Sequence, residues 1–255
     1  MSAALWLGAG VFVGTIGTLI GAGGGFLLVP LLVLAMPDAS PSAITAISLS
    51  AVSANAWSGS IAYARKGRVS YRHALIFALC SVPGVVLGVR ATWRLDRHTF
   101  LSLFVAPLVV LAIFVLVRGE RGGDGPAPPT DTRAVYLKGG VLSALIAVVA
   151  TILGIGGGLL HVPMFVYVLG FAPHMATATS HATLALTATL AAALHFFAGD
   201  LVGEYGRVLA IAGGMIAGAQ LGARLSPRVQ GPWIMRVLGV ALLFVALRLA
   251  LIAWR

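Results

Sequence analysis

Two glycine clusters are the most chemically suggestive residues of this chain. Residues 21–30 read GAGGGFLLVP and residues 154–163 read GIGGGLLHVP. Gly21, Gly23, Gly24, Gly25, Val29 and Pro30 match Gly154, Gly156, Gly157, Gly158, Val162 and Pro163 at an offset of 133 residues. Glycine brings no functional side chain, but it lets a ligand approach the backbone closely. A helix restarting at Phe26 or Leu159 points free N–H groups, and the positive end of its dipole, back at the break. Such a terminus binds an anion without any side-chain charge.

Polar side chains at membrane depth add to this pattern. Ser48 and Ser180 follow the two clusters at matching places and could donate to a sulfonate or carboxylate oxygen. Their structural alternative is a bond to a carbonyl one turn earlier. Asn55 matches Thr187 at an offset of 132, and as an uncharged donor it should face protein or water. His161, His181 and His195 gather in the second half. Histidine titrates near neutrality, so His161 and His181 are candidates for proton coupling, with neutral packed imidazoles as the alternative. His181 and His195 would stand about 21 Å apart along one helix, too far for a shared metal. No metal site or cofactor is expected, and Cys80 is the only cysteine.

All seven carboxylates, Asp38, Asp96, Glu120, Asp124, Asp131, Asp200 and Glu204, fall in loops or at segment ends. Cation carriers usually display an intramembrane Asp or Glu. The distribution favours an anion or a neutral solute. An intramembrane protease would need Ser and His in one wet cavity. Ser58 and His195 supply the parts but leave the duplicated glycines unexplained, so no enzyme is expected.

The elements that must position these residues are membrane helices. Hydrophobic residues make up 59 % of the chain and charged residues 9 %, against roughly 25 % charged in a soluble domain. Mean hydropathy is +1.01. The long apolar runs do not alternate, which argues against a β-barrel. Apolar segments fall near 3–20, 26–36, 42–64, 72–90 and 99–117, then near 135–153, 159–170, 175–197, 206–223 and 233–253. The reading is an all-α integral membrane bundle of two repeated halves, 1–117 and 134–255, joined by a Pro/Gly-rich linker at 118–133. Each half has about four helical segments, the first broken at glycine. As one straight helix, residues 3–36 would be about 50 Å long, against a hydrocarbon core of about 30 Å. The segment must break, tilt or fold back. Gly-interrupted segments at matching places in two halves point to a secondary transporter's binding site.

The net charge of +10 sits in membrane-flanking loops and is read as topology control, without nucleic-acid binding. No basic residue precedes Arg65, so an uncleaved N-terminus is expected. With eight crossings, the basic excess favours cytoplasmic termini and a cytoplasmic linker. Re-entrant breaks would instead give each half an odd number of crossings and invert the repeats.

The paired glycine motifs, the Ala46-Ile-Ser48 and Ala178-Thr-Ser180 segments, the basic turn at Arg65–Arg68 and the Gly84-x-x-x-Gly88-x-Arg90 and Gly218-x-x-x-Gly222-x-Arg224 helices resemble the sulfite exporter TauE/SafE family. The resemblance covers essentially the whole chain. It implies a permease of roughly eight helices in the inner membrane, exporting small sulfur-containing or organic anions such as sulfite, sulfonates or sulfoacetate. Ile47, His161 and His181 depart from the family's usual pattern, which bears on the cargo. A channel or facilitator for small carboxylates or neutral solutes is the alternative. Expected partners are the small anion and the lipid bilayer, with a second copy of the chain as the candidate protein partner.

Overall fold

The computed structural model describes residues 2–118 and 132–228, together with 239, 240, 243, 244, 246 and 247. The linker proper and most of the last apolar segment lie outside the described residues. The described chain is helical: α1 (Ala3–Ile20), α2 (Gly25–Ala35), α3 (Pro41–Ala64), α4 (Tyr71–Thr92), α5 (Arg97–Arg118), α6 (Arg133–Ile152), α7 (Gly158–Pro163), α8 (Pro173–Ala198) and α9 (Tyr205–Leu225). No strand occurs among the described residues. Among the described residues, five helices, α1, α4, α6, α8 and α9, are long and apolar enough to cross a membrane. The protein is an all-α integral membrane protein.

Local chemistry sets the helix ends. Ser40 caps α3 by accepting from the Ala43 N–H at 3.2 Å, with Pro41 at the first helical position where its missing N–H costs nothing. Pro173 starts α8 in the same way, and Gly199 ends it in the left-handed conformation. In α2 Pro30 is absorbed within the helix. After Pro163 the chain widens instead into a π turn over Met164–Val168, because proline leaves the carbonyl four residues back without its usual donor.

Contacts between helices fix their directions. Gly10 lies against Ile211 and Gly214, and Gly222 lies against Thr15 and Leu19, so α1 and α9 run parallel. Gly84 meets Ala144 and Gly88 meets Thr151, so α4 and α6 also run parallel. These seams depend on small residues. A Cβ on Gly214 would stand 2.1 Å from the Leu7 carbonyl oxygen, and one on Gly84 2.2 Å from that of Ala144. Close backbone approach of this kind drives helix association in lipid. Along α3 and α9, Asn55 bonds the Met215 carbonyl and Ser58 that of Ile216, with Lys66 reaching Ala223 further on. These two are parallel. By contrast, Ser53 bonds Thr189 and Gly59 abuts His181, so α3 and α8 are antiparallel. The Ser70 N–H bonds Thr179, and Thr183 bonds the Ala74 carbonyl, which aligns α4 with α8.

We call the face where α1 begins the lower face. Helices α1, α3 and α9 then run upward and α4, α6 and α8 downward. Because α1 and α3 point the same way, α2 must return between them. Its end is at the lower face, where Arg97 donates to the carbonyls of Val33, Met36 and Ala39. Met36 also meets Arg207 at the start of α9. The second break is built in the same way. Helix α6 descends, and α7 with its π turn climbs back to Phe165 and Phe171, which pack near His73 at the upper start of α4. Eleven helical residues in α2 span only about 16 Å, half the hydrocarbon core. The broken segments are therefore re-entrant, and the N-terminus and the linker end at Thr132 lie on opposite faces.

Candidate functional site

The two breaks have matching backbones. Gly21, Gly23 and Gly24 have φ of 83°, 73° and 82°, while Gly154, Gly156 and Gly157 have φ of 68°, 78° and 95°. Only glycine takes these conformations at little cost. The hydrogen bonds match too. The N–H groups of Ala22 and Gly23 donate to Gly17 at 2.8 and 3.1 Å, and those of Ile155 and Gly156 donate to Ala150 at 2.9 and 3.3 Å. Each new helix starts with a bond back to its cap: Leu28 to Gly24 at 3.0 Å and His161 to Gly157 at 2.9 Å. The N–H groups of Gly25 and Phe26, and of Gly158 and Leu159, precede the first intrahelical bonds.

The breaks touch one another. A Cβ on Gly25 would stand 2.8 Å from Ile155 Cα, and one on Gly158 would stand 2.8 Å from the Gly21 oxygen. The serines fasten the crossing by reaching into the opposite half. Ser48 donates to the Gly154 carbonyl at 2.7 Å. Ser180 donates to Gly21 at 3.3 Å and to Gly158 at 3.0 Å. Ser48 and the longer Ser180 bond thus reach the other glycine cluster, the shorter Ser180 bond holds the cluster nearer in sequence, and neither serine bonds the carbonyl one turn earlier. Gly23 and Gly156 face the same two side chains, Val52 and Leu184. These close over the glycines from α3 and α8.

The structure thus brings together Gly21, Gly23, Gly25, Ser48, Gly154, Gly156, Gly158 and Ser180. Gly24 and Gly157 cap α2 and α7 but turn away from the crossing, Gly24 toward Val13 and Met215 and Gly157 toward the His161 ring. Asn55 lies beside the first break. Its amide donates to the carbonyls of Gly14 and Met215 at 3.2 and 3.0 Å. Thr18 donates to its Oδ1 at 3.1 Å and lies 3.3 Å from His181 Nε2. His181 is fully buried with its ring edge-on to Tyr63, whose hydroxyl donates to the Thr18 carbonyl at 2.7 Å. His161 lies apart from this group. Its Nδ1 is 2.9 Å from the Gly157 oxygen and its Nε2 is 3.3 Å from Ser143 Oγ.

Sequence reasoning missed the threonines. A Cβ on Gly21 would meet Thr177 and one on Gly154 would meet Thr45. Thr45 and Thr177 immediately precede the matched Ala-x-Ser segments, and that adjacency was the available signal. Thr18 was legible only as the partner of Thr151 at the 133-residue offset.

Comparison with known proteins gives this arrangement its context. A probable membrane transporter protein of Xylella fastidiosa (strain 9a5c) is 32 % identical over 253 residues, covering 97 % of this chain and 95 % of the relative. The probable membrane transporter protein YunE of Bacillus subtilis (strain 168) is 25 % identical over 268 residues, covering 98 % and 97 %. No solved structure matches the chain significantly. A protein of this kind is a membrane transporter and not an enzyme. With residues 6–249 matched by the family description, the chain belongs to the sulfite exporter TauE/SafE family.

Proposed function

We propose that this carrier exports small sulfur-containing or organic anions across the cell membrane, and that the anion binds where the two breaks cross. The observation that carries the reading is the meeting of two half-helix starts deep in the bundle. The α2 and α7 N-termini direct N–H groups that precede the first intrahelical bonds, and positive dipole ends, toward a region that no cationic side chain of the described residues enters. Gly23 and Gly156 leave backbone accessible once Leu184 rotates away. Ser48, Ser180, Asn55 and His181 border the same region. The matched φ angles, the reciprocal serine bonds and the antiparallel α3 and α8 support two inverted repeats related by an axis in the membrane plane.

Orientation follows from the re-entrant breaks. Leaving aside Arg118 at the end of α5, eight of the described basic residues lie at the upper face: Arg65, Lys66, Arg68, Arg72, Arg133, Lys138, Arg224 and Arg228. At the lower face lie Arg90, Arg94, Arg97 and Arg207, four. The excess makes the upper face cytoplasmic, which puts the N-terminus outside, in contrast to the expectation from eight crossings.

The test is a screen of radiolabelled sulfite, sulfoacetate and acetate in proteoliposomes, comparing wild type with Gly156→Val. At φ 78° and with Leu184 2.6 Å from the new Cβ, valine blocks the crossing. Flux should vanish while membrane insertion persists. Wild-type flux in a folded Gly156→Val protein rejects the site.

A further inference from the structure

His195 and Asp200 form a buried pair that the anion site does not use. His195 lies in the last turn of α8, and the left-handed Gly199 turns the chain so that Asp200 folds back onto it. His195 Nδ1 is 2.6 Å from Asp200 Oδ2. The imidazole is fully buried, and the carboxylate keeps 14 % exposure at the lower face. Trp93 donates to the same oxygen at 2.9 Å, and Ser42 also bonds the carboxylate.

The other ring nitrogen also faces an acceptor. His195 Nε2 lies 3.5 Å from Thr45 Oγ1. That hydroxyl already directs its hydrogen to the carbonyls of Pro41 and Ser42, at 2.9 and 3.0 Å. It therefore presents lone pairs to the imidazole. Both ring nitrogens thus have an acceptor in reach, the carboxylate for Nδ1 and the hydroxyl oxygen for Nε2, so the ring can hold a second proton here as a cation. The C-terminal end of α8 favours that cation as well. Thr45 in turn joins the pair to the second break. A Cβ on Gly154 would stand 2.9 Å from Thr45 Cγ2, and Ser48, nearly one turn along α3, bonds the Gly154 carbonyl.

We propose that His195 and Asp200 are the proton-binding site of this carrier, open to the lower face through Asp200 and adjoining the second glycine break through Thr45. Its coupling role rests on the reading of the crossing as the anion site; the proton site does not. A proton held here places positive charge beside the break, so anion and proton favour each other's binding. Neither His161 nor His181 has a carboxylate partner among the described residues. The surroundings of the pair are otherwise uncharged. Helix α3 contributes Ser42 and Thr45, and the α4–α5 turn contributes Trp93. At the same face Asp38, Arg90, Arg94, Asp96 and His98 are exposed. Arg97 caps α2, and Arg207 pairs with Glu204. Burial pushes the Asp200 carboxyl up, but the bonds from His195 and Trp93 outweigh it and hold the group below the usual carboxylate range. This agrees with Asp200 as the anion of the pair.

Nitrogen-15 NMR of protein with labelled histidine rings in lipid nanodiscs tests the site without any cargo. His195→Gln identifies the His195 signals by their loss. Both ring nitrogens should carry protons at pH 7 in wild type, and Asp200→Asn should lower the midpoint by at least about one pH unit. A singly protonated ring at pH 7, or a midpoint indifferent to Asp200→Asn, overturns the proton site. Proteoliposomes containing a pH dye and given a sulfoacetate gradient read the coupling. Wild type should move protons with the labelled anion, and Asp200→Asn should move the anion alone. Anion flux without Asp200-dependent proton movement overturns the coupling role. Absence of sulfoacetate flux counts against the coupling role and against the anion reading together, while the NMR titration decides the proton site independently.

Discussion

Replacing Gly25 by alanine tests the crossing most directly. Unlike Gly21, Gly23 and Gly24, this glycine has an ordinary negative φ, so alanine brings no backbone strain. It does bring a methyl group 2.8 Å from Ile155 Cα, 3.0 Å from the Ile155 oxygen and 3.1 Å from the Gly154 oxygen. All three atoms are backbone and cannot rotate aside. Ordinary contact begins near 3.4 Å, so the breaks must separate by about 0.6 Å. Overpacking of this kind costs about 1–3 kcal/mol. The better helix propensity of alanine returns up to about 1 kcal/mol. A net loss of about 1–2 kcal/mol should lower the melting temperature by about 2–8 °C for a chain of this size. Fluorescence-detected thermal unfolding in detergent measures it. Gly213→Ala is the control, because a Cβ there meets nothing within 4 Å in the middle of α9. That variant should melt at or above the wild-type temperature. If Gly25→Ala melts with the control, the two breaks are not in backbone contact and the geometry argued above is wrong.

Three further outcomes are expected. Ser48→Ala and Ser180→Ala each remove the hydroxyl bonds that tie one break to the other half, and each should cost about 0.5–1.5 kcal/mol in the same melting assay; unchanged melting in both would show that the serines do not fasten the crossing. The folded-state pKa of Asp200 is depressed below its ordinary 3.8, so its stabilisation is present above that value and lost as pH falls through the lower folded value; the acid loss of melting temperature should therefore be smaller in Asp200→Asn, and identical acid profiles would refute this. In a Cys80→Ala background, a membrane-impermeant maleimide added to intact cells should label Asp38→Cys and spare Arg65→Cys; the reverse pattern would overturn the assigned orientation.

Much of this was legible before any coordinates. Low charge and unbroken apolar runs dictated membrane helices. The two glycine clusters marked the breaks because positive φ at equivalent positions demands glycine, whatever surrounds it. The Ala-x-Ser segments pointed to Ser48 and Ser180 for the same reason of repetition. Their partners were not legible. A hydroxyl that bonds the other half's break depends on α3 and α8 running antiparallel, and apolar periodicity carries no direction. Hydropathy also cannot separate a half-length helix that turns back from one that tilts and continues. That single ambiguity, at α2 and α7, sets the parity of crossings and with it the face on which every basic residue is counted. The His195–Asp200 pair escaped because its five-residue spacing is closed by the helix-ending turn at Gly199 and not by a helical repeat.

The glycine seam between α1 and α9 has a consequence for biosynthesis. Gly10 and Gly14 are shaped to receive Ile211, Gly214 and Met215, yet the ribosome completes Ile20 some 185 residues before it reaches Tyr205. At about 5–20 residues per second that interval is about 10–40 s. Throughout it the face of the first helix that receives α9 stands uncovered, while α3 is already available to bond Gly14 and Thr18. The re-entrant turn behind it must wait as well, since Gly154 and Ser180 are still to come. The α1–α9 seam therefore closes only after most of the chain has been made.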